Sequence, residues 1–136
     1  MDYTQLKTAI QRFREMLEAY RENAKRPPLE RQAVQDSLIK RFEYTFEMAW
    51  KTCKRHLAEE GFAEAASGSP KSIIRLAAER KLIRDAEAWM GYLAFRQDTS
   101  HDYSSDKAET VLDVAENFHR DVVSLYMEMT GESGQF

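Results

Sequence analysis

Between residues 96 and 103 the chain reads Arg96-Gln97-Asp98-Thr99-Ser100-His101-Asp102-Tyr103, and three of these side chains could do chemistry together. A guanidinium keeps its charge and can grip two phosphate oxygens at once. An imidazole titrates near neutrality and serves as general base or acid. A phenol two residues further on can pack, or accept a transferred group. Cleavage of RNA without a metal requires the first two roles. One group deprotonates the 2′-hydroxyl or protonates the leaving oxygen, and another neutralises charge gathering on phosphorus. Arg96 and His101 are therefore candidate catalytic residues and Tyr103 a candidate modification site. A plainer reading stands beside this one: an arginine at a helix C-terminus complements the helix dipole, and a histidine at a helix boundary is common.

The elements around this stretch must position it. Leu6, Ile10, Phe13, Leu17 and Tyr20 form a one-sided helical stripe, which Arg26-Pro27-Pro28 should end because Pro27 disfavours helical backbone at Arg26. A second, long helix is predicted from Leu29 to Glu60, with Val34, Leu38, Phe42, Phe46, Ala49, Cys53 and Leu57 as its seam and Gly61 as its cap. Residues 61–69 are small and polar and read as a loop. Ser69-Pro70 opens a short helix to about Lys81, and Asp85 caps another that ends near Arg96. Ser104-Ser105-Asp106 should begin the last helix, whose seam is Val111, Val114, Phe118, Val122, Leu125 and Met129, and Gly131 should stop it. Three long and two shorter helices with no strand signal imply an all-α fold: an antiparallel up-down four-helix bundle with an additional short helix. The expectation is one domain over residues 1–131, with 132–136 as a loose tail.

Composition narrows the classes of function. At 136 residues the chain is long enough to bury a core, and its 32% charged residues fit an ordinary globular protein. A net charge of -3 argues against a general nucleic-acid coat while leaving room for a local basic patch. Such a patch is predicted in Lys71, Arg75, Arg80, Lys81 and Arg84, set against the single acid Glu79, as an RNA or partner contact; solubility of a short helix accounts for it equally. One cysteine, Cys53, excludes a disulfide framework and a thiolate cluster. No apolar run approaches the ~20 residues that span a bilayer, and the polar N-terminus is no signal peptide, so the expected compartment is the cytoplasm.

Two further groupings bear on the site. Glu43 and Glu47 lie one turn apart, and Glu47 with Lys51 makes a favourable i,i+4 pair on a solvated face. A sharper reading has these carboxylates hold Arg96 or a helix end in place. Glu116-x-x-His119 has the spacing of half a di-metal carboxylate site, but no second copy exists on another helix, so no metal is expected. His56 and His119 then read as surface or boundary residues, and Cys53 as core.

The run Arg41-Phe42-Glu43-Tyr44-Thr45-Phe46-Glu47-Met48-Ala49-Trp50-Lys51, then Ser69-Pro70-Lys71, and finally Arg96-x4-His101-x-Tyr103 carry a resemblance. From about residue 3 to 130 the chain resembles the HEPN family. The likeness is to its small bacterial members encoded beside a minimal nucleotidyltransferase and called nucleotidyltransferase substrate-binding proteins. Gln97 departs from the asparagine that many relatives carry there, one neutral amide for another. The resemblance implies a homodimer whose paired Arg96 and His101 line one cleft. It implies a metal-independent endoribonuclease that is the toxin of a toxin–antitoxin pair, of type II, or of type VII if silenced by modification. It also implies that the partner nucleotidyltransferase silences it, in some relatives by moving AMP from ATP onto the residue matching Tyr103. A phosphate-bearing group there would put negative charge and bulk where the RNA phosphate must sit. No cofactor is expected in this chain, since ATP and Mg would belong to the partner. The alternative is a non-catalytic substrate-binding subunit of a two-component nucleotidyltransferase.

Overall fold

Leu6, Ile10, Phe13, Leu17 and Tyr20 line one side of the first helix, α1 (Thr4–Arg21), and all five are buried. The structure is a computed structural model and describes residues 1–99 and 108–133. His101, Tyr103 and the helix start predicted at Ser104-Ser105-Asp106 lie outside the described residues. After α1 come α2 (Pro28–Glu59), α3 (Pro70–Glu79), α4 (Ala86–Thr99) and α5 (Ala108–Thr130), with no strand among the described residues.

Contacts fix the directions. Tyr3 meets His56 and Tyr20 meets Gln35, so α1 and α2 run antiparallel. Phe95 packs on Phe42 and Trp89 on Phe46, so α4 runs against α2. Lys7 pairs with Glu132 and Arg21 with Glu116, so α5 runs against α1. The result is an up-down helical bundle of α1, α2, α4 and α5, with α3 as the extra short helix. At its centre the Phe118 ring meets Phe13, Phe42, Phe46, Trp89 and Tyr92 at centroid distances of 5.6, 4.9, 6.2, 5.7 and 5.2 Å. Among the described residues no helix is long and apolar enough to cross a membrane.

Several boundaries differ from the sequence expectation. α1 stops at Arg21, and a 3-10 turn over Asn23–Lys25 precedes Arg26, whose extended backbone (φ -90, ψ 152) is what Pro27 demands. Residues 63–67, predicted as loop, form a 3-10 turn with Ala65 fully buried. α3 ends at Glu79 rather than Lys81, because the chain turns back there: Leu82 N–H donates to Ala77 O at 2.9 Å and Lys81 N–H to Ala78 O at 3.1 Å. This helix stop places Lys81 at φ 63, the position usually given to glycine. Lys81→Gly should therefore raise stability by about 1 kcal/mol in a thermal or urea melt, the cost of holding a side-chain-bearing residue left-handed. An unchanged or lower midpoint would show that Lys81 is not strained.

Candidate functional site

α4 begins where Asp85 Oδ1 accepts the Ala88 N–H at 3.1 Å, and its apolar residues Trp89, Tyr92 and Leu93 anchor it in the core. The Tyr92 hydroxyl also donates to Asp121 of α5. Burial first, and then that carboxylate, push the phenol well above its usual range. With both attachments fixed, the last turn of α4 presents Arg96 to the middle of α2.

There Arg96 meets both glutamates. Its Nη1 donates to Glu43 Oε2 at 3.1 Å, and its Nε stands 3.7 Å from Glu47 Oε1. That second distance is an ion pair, too long for a hydrogen bond, and among the described residues the buried Nε makes none. Lys40 flanks Glu43 at 3.5 Å and Lys51 flanks Glu47 at 3.6 Å, so charges alternate across the face: Lys40, Glu43, Arg96, Glu47, Lys51. Three cations against two carboxylates leave one positive charge in excess. The Glu43 side chain is only 12% exposed and that of Arg96 27%, so this contact is sheltered while the guanidinium still reaches solvent.

Sequence reasoning missed three members of the arrangement. The Thr99 hydroxyl lies 3.0 Å from Glu43 Oε2 and 2.9 Å from the Arg96 carbonyl oxygen. Trp50 Nε1 donates to Glu47 Oε2 at 3.1 Å. Lys40 is the third. The available signal was helical spacing, since Thr99 follows Arg96 by three residues and Lys40 precedes Glu43 by three.

The remaining candidates are placed as follows. Gln97 is exposed on the last turn of α4. Lys71 and Arg75 lie on α3, Arg80 and Lys81 in the turn after it, and Arg84 just before α4, all exposed. Among the described residues none of these five joins an ion pair, although Arg80 sits 4.6 Å from the centroid of the Phe62 ring. From Ala86 to Arg96 α4 spans roughly 15 Å. Arg84 and Arg96 thus stand at opposite ends of α4 and cannot hold the same phosphate. His56, expected at a helix surface or boundary, lies on the last turn of α2 and is buried. It is 7% exposed, with the Tyr3 hydroxyl 2.7 Å from Nδ1 and Glu60 Oε1 3.0 Å from Nε2, and it ties the start of α1 to the end of α2. His119 stacks on Phe13. Cys53 is buried, and burial pushes its thiol up to about 12, which keeps it protonated and unreactive. Among the described residues no group of three or more His, Cys, Asp or Glu side chains could hold a metal ion.

Over residues 1–131 the chain matches the family described as nucleotidyltransferase substrate binding protein like. A Haemophilus influenzae protein named probable ribonuclease HepT is 34% identical over 91 residues, a match covering 62% of this chain and 62% of that protein. The structure of HI0074 from Haemophilus influenzae is described as revealing the fold of a substrate binding domain of a nucleotidyltransferase. It superposes with a TM-score of 0.85 at 22% identity, covering 94% of this chain and 98% of that one. A structure from Thermus thermophilus superposes with a TM-score of 0.65 at 28% identity, covering 87% and 98%. The HI0074 likeness shows a shared fold.

Proposed function

This chain belongs to the nucleotidyltransferase substrate binding protein like family, and from that premise we propose that it is the ribonuclease half of a pair completed by a nucleotidyltransferase. The observation that carries the reading is the state of Arg96. Its guanidinium is oriented by Glu43 and Glu47 at the end of a firmly anchored helix, and it retains solvent access. An arginine held this way meets a phosphate without first losing side-chain freedom, which is how positioned cations lower a barrier. The relative named a probable ribonuclease supports the same chemistry.

In this reading Arg96 holds the scissile phosphate and His101 moves the proton. The 2′-hydroxyl oxygen attacks phosphorus and the 5′-oxygen leaves, so the step needs no metal and no cofactor in this chain. The acting form is a homodimer with two Arg96/His101 sets in one cleft, assembled into a larger complex with the partner in the cytoplasm. The pair works as a HEPN toxin and its antitoxin, and the partner silences cleavage by transferring AMP from ATP to the Tyr103 hydroxyl oxygen, with pyrophosphate leaving. The exposed cations Lys71, Arg75, Arg80, Lys81 and Arg84 suit the partner's surface or RNA phosphates. The second reading, a non-catalytic subunit that presents substrate to the nucleotidyltransferase, is favoured by how the family and the HI0074 fold are described.

Intact mass separates the two. The protein is purified alone and after co-expression with its nucleotidyltransferase, and both samples are tested for RNA cleavage. An added AMP mass mapped to Tyr103, with cleavage only in the unmodified sample, is the expected result. A folded protein that neither gains mass nor cuts RNA would leave the subunit reading.

A further inference from the structure

Glu47 does two things at once: one oxygen faces Arg96 Nε at 3.7 Å, and the other accepts the Trp50 indole N–H at 3.1 Å. The two nitrogens bridged by this carboxylate are therefore within about 9 Å of each other, given ordinary bond lengths. Adjoining positions of an extended nucleotide strand cover such a distance. Trp50 is only half-buried. Its inner side lines a small apolar cavity together with Cys53, Ile73, Ile74 and Ala77. Outside, two ammonium groups lie over the ring, Lys51 Nζ at 6.0 Å and Lys54 Nζ at 5.9 Å from its centroid, and Lys51 also pairs with Glu47 at 3.6 Å. A half-exposed indole with cations over its ring brings together the π-face and the positive charge that single-strand binders use for a base and its flanking phosphates, the lysines turning from the ring to the phosphates as the base stacks.

We propose that Trp50, with Lys51 and Lys54, is a base-stacking subsite for single-stranded RNA, holding the base next to the phosphate gripped by Arg96. This rests on the ribonuclease reading and extends it by naming the strand form and the neighbouring contact. Lys54 also donates to the Gly68 carbonyl oxygen at 3.2 Å, on the loop that opens α3. A strand leaving Trp50 past Lys54 would therefore run toward the exposed Lys71 and Arg75. Because stacking uses the face of the base, the subsite would be tolerant of sequence.

The test is binding of a short single-stranded oligoribonucleotide, 2′-O-methylated so that it cannot be cut, followed by fluorescence anisotropy on the full chain. Trp50→Leu keeps an apolar side chain toward the core but removes the aromatic face; it should weaken binding about ten- to a hundredfold. Trp50→Phe keeps a face and should bind within a few-fold of the wild type. An abasic strand of the same length offers nothing to stack and should bind the wild type and Trp50→Leu alike. Equal affinities of the Leu and Phe variants, or an equal loss toward the abasic strand, would overturn the stacking site. If wild type still cuts RNA in that case, the ribonuclease reading survives. A wild type that neither binds nor cleaves RNA sinks both.

Discussion

Arg96→Ala should cut RNA about a hundred- to a thousandfold more slowly than the wild type. That is the usual cost of removing one donor aimed at developing charge. Arg96→Lys should recover little of it, because an ammonium is a point charge and cannot grip two phosphate oxygens in a plane. The same substitution has a second, structural readout. Without the guanidinium, the largely buried Glu43 keeps, among the described residues, only the Thr99 hydroxyl and Lys40, so the alanine variant should also melt earlier. Glu43→Gln distinguishes positioning from catalysis. It leaves an acceptor for Arg96 but removes the charge that orients it, so cleavage should fall by a smaller factor while the fold persists. Initial rates on a single-stranded RNA, with a thermal melt of each variant, decide the matter. A folded Arg96→Ala protein that cuts at the wild-type rate would remove Arg96 from the mechanism.

How much of this was legible beforehand depends on whether a feature is local. The stripes Leu6-Ile10-Phe13-Leu17 and Leu38-Phe42-Phe46-Ala49-Cys53-Leu57 are periodic and buried, while Val34, predicted at the start of the second seam, is only partly buried. The start of α3 was equally local: Ser69 Oγ accepts the Ser72 N–H at 3.3 Å, with Pro70 following. The end of α4 was not. From the sequence that helix is expected to end near Arg96, and the short polar side chains of Asp98 and Thr99 that follow favour non-helical backbone. Yet the helix continues through Thr99, whose hydroxyl finds Glu43, 56 residues earlier in the chain. The site is of the same kind. Helical spacing put Glu43 and Glu47 one turn apart, and it allowed both a solvated face and a contact with Arg96. Only the antiparallel register of α2 and α4, set by Phe42 on Phe95 and Phe46 on Trp89, brings the guanidinium between them. The left-handed Lys81 was illegible for the opposite reason, since the residue type there argues against the conformation it adopts.

The same register makes the fold's most costly single change predictable. Phe118 is fully buried, and its ring touches residues on all three of the other long-packed helices: Phe13 on α1, Phe42 and Phe46 on α2, and Trp89 and Tyr92 on α4. Most of these contacts are edge-to-face, the arrangement that adds to the area the ring removes from water. Phe118→Ala should therefore cost about 3–5 kcal/mol, from lost transfer energy and from a cavity that four helices cannot close together. Phe118→Leu, which refills most of the volume, should cost less than half of that. Urea melts of the two variants measure it. The consequence for function runs through α4. Trp89 and Tyr92 lose their shared partner, so Phe118→Ala should loosen the helix that presents Arg96 and lower RNA cleavage even where the protein remains folded. A Phe118→Ala protein with wild-type stability would mean that the aromatic cluster does not set the register, and the geometry at Arg96 would then need another cause.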